Sequence, residues 1–207
     1  MGLRLRFLCW WTPNWVLSRE LDHVSAVTSA ALKSLLATCV DSKQIQRVEG
    51  KAQHSKTIEE KRSLMAAEHA MIVQELATAV GRDEALTLGR EALFEVGRRL
   101  GVETREKLGV SSDSPKDLVR AATILYRVLG IDFNAEWSGT AQATLVVNRC
   151  ALAQKYSEFT CRVLSATDEG VVRGLDPNAT MTFEELITSG CPKCRAKIEF
   201  NNQRRET

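Results

Sequence analysis

Four stretches of the chain repeat apolar residues at spacings of three and four, and residues that start or stop helices bound each of them. In residues 18–40, Leu21, Val24, Val27, Ala31, Leu35 and Leu36 follow a Ser18 cap, which predicts a helix. A second runs from Thr57 to Val80 through Leu64, Met65, Met71, Ile72 and Leu76, with Thr57 and Glu60 at capping-box spacing and Gly81 as its stop. A third spans residues 82–108 through Leu86, Leu88, Leu93, Phe94, Val96 and Leu100. Its glycines at 89, 97 and 101 share one face and admit a close backbone. Plain helix packing is the simpler reading of that face, and a ligand or sheet against it is the functional one. A fourth helix opens at Ser114-Pro115-Lys-Asp117, buries Leu118, Ala121, Ala122, Ile124, Leu125 and Val128, and ends at Gly130.

Alternation then replaces the helical period. Ile131, Phe133, Ala135 and Trp137 oppose Asp132, Asn134 and Glu136, and residues 141–147 read as a hairpin partner. Residues 180–187 and 195–200 flank Gly190-Cys-Pro-Lys-Cys194 as a second hairpin. The short connections predict antiparallel pairing. The fold class expected is α+β, three to four helices packed on a four-stranded antiparallel sheet. Residues 1–55 read as an N-terminal arm and helix, with a polar linker from Asp41 to Lys56, and residues 56–207 as a single domain. Between the strand pairs, Cys150, Cys161 and Asp168 are offset by 11 and 18 residues, which on one continuous helix returns them to within roughly 20° of the same face. Gly170 is where that helix is expected to end.

Composition narrows the classes. A chain of 207 residues, 44% hydrophobic and 26% charged, can bury a core without disulfide staples. A net charge of +2 and the lack of a basic stripe interleaved with aromatics give no case for nucleic acid. The opening Arg4 to Trp11 imitates a signal peptide, but its apolar run stops at Thr12-Pro13, too short for a leader or a membrane span. Trp10, Trp11 and Trp15 could lie on a membrane surface or a partner, or belong to an arm. Six cysteines without a clear leader point to a cytoplasmic location and to thiols that bind metal or do chemistry. His23, His54 and His69 precede the sheet region and read as surface or helix-face residues, so chemistry in the last third falls to cysteine, carboxylate or metal.

Cys191-Pro-Lys-Cys194 offers two thiolates on a tight turn to one soft metal. Cys161, Asp168, Glu184, Glu185 and Cys150 are candidates to complete the set. A continuous helix holds Cys150 about 16 Å from Cys161 along its axis, so only one of those two joins. The expected ligands are Cys161, Cys191 and Cys194 with one acid, Glu184, holding zinc; an iron–sulfur cluster on the same thiols is the lesser alternative. A redox pair is disfavoured because the motif sits at a hairpin tip rather than a helix N-terminus. Direct nucleophilic use of Cys161 or Cys150, with Asp168 as its acid partner, and buried thiols with no role both stay open.

At these residues the chain resembles the L-2-amino-thiazoline-4-carboxylic acid hydrolase family and, more distantly, the 4-vinyl reductase type of small-ligand-binding domain. The resemblance rests on Asn148-Arg-Cys150 after a strand, Cys161 with Asp168 seven residues on, Gly174-Leu-Asp-Pro177, Gly190, Cys194 and the strand ending at Phe200. It implies hydrolysis of a small cyclic C–N substrate, with Cys161 and Asp168 catalytic and Asn148, Arg149 and Arg162 binding substrate. The second family implies a non-enzymatic domain that binds a small apolar ligand beside a cysteine-bound metal, able to pair as a homodimer through its helices. Ile187 stands where that pattern has a further cysteine.

Overall fold

The computed structural model describes residues 12–40, 57–111 and 114–200, so Cys9, Trp10, Trp11, His54 and the expected boundary near residue 55 lie outside the described residues. Helix α1 covers Asn14–Cys39, α2 Ile58–Val80, α3 Arg82–Leu108 and α4 Pro115–Leu129. Strands β1 (Ile131–Trp137) and β2 (Gln142–Cys150), helix α5 (Glu158–Leu175), β3 (Ala179–Glu185), a 3-10 turn (Ile187–Ser189) and β4 (Cys194–Phe200) follow. The four strands form one antiparallel sheet in the order β1-β2-β4-β3. Among the described residues, five helices on an antiparallel sheet make the expected α+β class, with one helix beyond the expected count. Among the described residues no helix is long and apolar enough to cross a membrane.

Local chemistry sets the boundaries. The Thr57 hydroxyl accepts the Glu60 N–H and the Glu60 carboxylate accepts the Thr57 N–H, each at 3.1 Å, which closes the capping box that starts α2. Gly81 alone separates α2 from α3, and its φ of 87° is the positive value that a turn this tight requires. Buried Arg62 on α2 donates to the Val128 and Arg127 carbonyls at 2.9 and 2.7 Å, capping α4 with a cation where the helix dipole is negative.

Two expectations for the region after β2 need correction. No helix runs from Cys150 to Asp168: β2 continues to Cys150, and Ser157 then caps a new helix by accepting the Thr160 N–H at 3.1 Å. Nor does that helix stop at Gly170; it continues to Leu175. Gly170 and Gly174 are inside α5 because α3 presses on them. A Cβ on Gly170 would sit 2.1 Å from the Phe94 carbonyl oxygen, and one on Gly97 would sit 2.0 Å from that of Thr167. The glycine face of α3 therefore receives another helix. The strand expected to reach residue 187 also stops at Glu185, where the 3-10 turn takes over.

Helix α5 lies between α3 and the sheet. Its Val172 and Leu175 join Leu145, Met181, Ile198 and Phe200 in the main core. On its other side Val163, Leu164 and Ala166 pack with Leu32 and Leu36 of α1 and Ile72 and Leu76 of α2. Substituting Gly170→Ala forces a methyl into backbone and is expected to destabilise the protein by about 3 kcal/mol. Gly139→Ala, where φ is 77° but nothing lies within 4 Å, is expected to cost about 1 kcal/mol. Urea unfolding of the two variants checks the ordering, which fails if Gly170→Ala is the milder.

Candidate active site

Packing α5 beneath α1 and α2, against the lower end of the sheet, leaves a cavity of about 90 Å³, with room for several waters or a small ring. Its wall is mostly apolar, built from Val24, Met65, Leu129, Leu164 and Phe183 among others. Its polar lining comprises Cys150, Cys161, Cys194, Asp168, Tyr126, Tyr156 and His69, together with Thr28, Ser165 and Thr167. A smaller void of about 50 Å³ adjoins it and shares Tyr126, Thr167 and Asp168.

Each thiol reaches the cavity for a local reason. Cys161 and Asp168 are seven residues apart on α5 and share a face with Leu164 and Ser165. Cys194 begins β4 opposite Val147 of β2, and both line the cavity. In a regular strand Val147 and Cys150 would point to opposite faces. The register shifts between Asp132 and Phe133, whose partners are Arg149 and Val147, so Asn148 is the extra residue of a bulge. That bulge turns Cys150 to the side Val147 occupies. The continuous-helix reading, which held Cys150 and Cys161 far apart, is thus replaced by one cavity wall that carries both.

The electrostatics follow from burial. Asp168 lines the cavity, and burial raises its carboxyl pKa to about 7, against the opposing pull of the nearby Tyr126 hydroxyl. Burial also raises Cys161 to about 11 and pushes Cys150 and Cys194 upward, so all three are neutral thiols at pH 7. The Thr188 hydroxyl approaches Cys161 closely enough to oppose that rise but makes no well-directed hydrogen bond. Cys194 accepts the Ile187 N–H at 3.2 Å.

The remaining sequence candidates lie elsewhere. Cys191 sits on the turn, 3.7 Å from the Ser189 hydroxyl, and Glu184 is the extra residue where β3 shifts register. Among the described residues no three His, Cys, Asp or Glu side chains gather at metal-binding distance, so the thiols and Glu184 as placed do not compose a zinc or iron–sulfur ligand set. Asn148 and Arg149 are exposed at the end of β2, and Arg162 pairs with Glu158 on the outer face of α5 at 2.8 Å. None of the three lines the cavity.

Tyr126, Tyr156 and His69 escaped sequence reasoning. His69 is no surface residue: it is 2% exposed, 3.0 Å from both Thr28 Oγ1 and Tyr156 Oη. Its place in the stripe Met65, His69, Ile72, Val73, Leu76 was the signal, since a histidine in an apolar stripe must be buried with partners. His23 does lie near the surface, 3.2 Å from Glu103.

A model of the family described as L-2-amino-thiazoline-4-carboxylic acid hydrolase matches residues 56–198. Among solved structures, the fold resembles a trafficking protein particle complex subunit 3 from Naegleria fowleri covalently bound to palmitic acid, at 17% identity and a TM-score of 0.52, over 68% of this chain and 95% of that one. An H-NOX protein from S. oneidensis in the Fe(II)NO ligation state matches at 15% identity and a TM-score of 0.47, over 85% of this chain and 98% of that one. No curated protein matches the chain.

The raised Asp168 pKa has a consequence for stability. The folded carboxyl holds its proton up to about pH 7 while an ordinary one releases it near 3.8, so the folded state binds more protons between those values. The destabilisation is absent below about pH 4, grows as pH rises, and is complete above pH 7, on the order of 4 kcal/mol. Asp168→Asn is expected to exceed wild type by that order at pH 8, with the gap closing toward pH 4 in urea unfolding. A gap that widens on acidification would contradict the assignment. His69, held down to about 4 by burial, contributes the opposite slope below its ordinary pKa, equally in both proteins.

Proposed function

Because the chain belongs to the L-2-amino-thiazoline-4-carboxylic acid hydrolase family, we propose that it hydrolyses a small cyclic C–N substrate held in the cavity beneath α1 and α2. The observation that carries this reading is Asp168, a carboxyl that lines a largely apolar cavity beside Tyr126 and whose pKa burial raises to about 7. A group balanced between its two protonation states at neutral pH is suited to take up and return a proton in one turnover. Apolar walls around it strengthen its interaction with any charge that develops on the substrate.

In the reaction the family name implies, water adds to the amidine carbon of the ring. The Asp168 carboxylate accepts a proton from the water as the new C–O bond forms. The same carboxyl then delivers a proton to the ring atom whose bond to that carbon breaks, so the ring opens and the carboxylate is regenerated. Cys161 is the competing nucleophile, but its pKa near 11 against about 7 for Asp168 puts proton transfer between them uphill by about four powers of ten. Burial stores no thiolate, and both routes depend on Asp168. Water is the attacking group in this reading and Cys161 a wall of the site.

The cavity's apolar wall favours a second reading, a non-enzymatic domain that holds a small apolar ligand. Turnover separates the two. With 2-amino-thiazoline-4-carboxylate as substrate, Asp168→Asn is expected to lower kcat by about a hundredfold or more and to remove a pH limb near 7, while Cys161→Ala stays within about tenfold of wild type. Full activity in Asp168→Asn would overturn the assignment. A wild type without turnover that binds apolar rings equally well with and without Asp168 would establish the binding domain instead.

A further inference from the structure

Beside the cavity, α1, α2 and the segment before α5 contribute a chain of three hydrogen bonds whose direction is fixed by its last acceptor. Thr28 Oγ1 lies 2.7 Å from the Val24 carbonyl oxygen, an atom that can only accept, so the single hydroxyl proton is committed there. His69 Nε2, 3.0 Å from the same Oγ1, must then be the donor to it, which leaves Nδ1 without a proton. Nδ1 in turn accepts from Tyr156 Oη at 3.0 Å. Burial holds the His69 ring neutral down to about pH 4, so both nitrogens cannot donate at once near pH 7. The phenol proton of Tyr156 points at His69, and toward the cavity it lines its oxygen presents lone pairs alone.

Such an oxygen discriminates. A neutral tyrosine with a free proton can donate or accept and tolerates either ligand polarity; one whose proton is taken can only accept. The pair is not a base in waiting either, because burial raises the Tyr156 pKa well above its ordinary value while the imidazole resists protonation. What remains is a fixed, uncharged acceptor in an apolar wall. A ligand that brings no donor leaves it buried and unsatisfied, and the loss of that partner is felt in affinity.

We propose that Tyr156 Oη is a specificity-determining acceptor that selects substrates carrying an exocyclic N–H on the reacting ring carbon, as a cyclic amidine does, with His69 and Thr28 as positioning residues. The proposal rests on the hydrolase reading of the cavity and adds the feature of the substrate that the cavity reads. It gives the two polar clusters different work: Asp168 with Tyr126 moves protons, and Tyr156 with His69 and Thr28 holds the amino group.

The test compares two rings of one shape, 2-amino-2-thiazoline, which has the N–H, and 2-methyl-2-thiazoline, which lacks it, by calorimetric titration of the full chain. Wild type is expected to prefer the amino ring by about tenfold. Tyr156→Phe should erase the preference while leaving affinity for the methyl ring within about twofold. Thr28→Val, at the cavity wall, frees the His69 tautomer, lets Tyr156 turn a proton toward the cavity, and should narrow the preference while affinity for the methyl ring stays within about twofold, a result loss of packing alone would not give. A preference that survives in Tyr156→Phe, or a wild type that binds both rings equally, overturns the inference and leaves the hydrolase reading standing. A wild type that binds neither ring removes the hydrolase reading and this inference with it.

Discussion

The structure depends on the contact between α3 and α5, where two helix backbones touch with almost nothing between them. Gly97 and Gly101 on α3 meet Thr167, Val171 and Gly174, and Gly170 and Gly174 on α5 meet Phe94 and Arg98. Small residues at these points let carbonyls of one helix lie against Cα atoms of the other, so the spacing is set by covalent geometry rather than by adjustable side chains. Helix α5 then has no freedom to rotate, and every residue on its other faces inherits a fixed direction. Asp168 follows Thr167 by one residue, and its orientation into the cavity is a consequence of that contact. The hydrophobic cores on either side of α5 fill the space the contact defines.

A helix held this firmly can keep polar groups where solvation alone would not. Asp168 and His69 each titrate far from their ordinary values because burial disfavours their charged forms, the carboxyl upward to about 7 and the imidazole downward to about 4. The two oppose each other: between those values stability falls with pH through Asp168 and rises with pH through His69 up to its ordinary pKa. Removing only one of the two would tilt the pH dependence of the fold. Tyr156 supplies His69 with a neutral hydrogen-bond partner and the Tyr126 hydroxyl lies beside Asp168, so neither group depends on a charged neighbour.

The scaffold was legible in the sequence where one rule acted locally. The Thr57–Glu60 capping box, the α4 opening at Pro115, and the alternation from Ile131 to Trp137 each name their element from a few neighbouring residues. Sequence erred where geometry across space decides. Gly170 reads as a helix stop in isolation and becomes a helix interior only because Phe94 occupies the place of its side chain. Cys150, Cys161 and Asp168 share a face on a continuous helix by arithmetic, but Ser157 is an N-cap with Glu158 in the first turn, and that signal breaks the helix before Cys161. The three residues still converge, through a strand bulge at Asn148 that no pattern announces. Of the candidate site, Cys161, Asp168 and Cys194 open on the cavity, while Cys191, Glu184, Asn148, Arg149 and Arg162 do not.

The thiols show how burial can outweigh position. Cys161 lies one turn into α5, where the partial positive charge of the helix N-terminus favours a thiolate by a fraction of a kcal/mol up to about 1 kcal/mol. Desolvation acts the other way and carries its pKa to about 11, two units above an ordinary thiol of 9.0 and worth on the order of 3 kcal/mol. The larger effect wins, and the neighbouring Cys150, Cys194 and Asp168 reinforce it, because a negative charge on any one of them opposes a charge on the others. Within this cluster the first proton to leave comes from Asp168, and its departure makes every thiol harder to ionise. Three cysteines around one carboxyl therefore behave as soft, uncharged walls that concentrate acid–base work on Asp168. Proximity of thiols in a sequence is read as reactivity; in this cavity it produces the reverse.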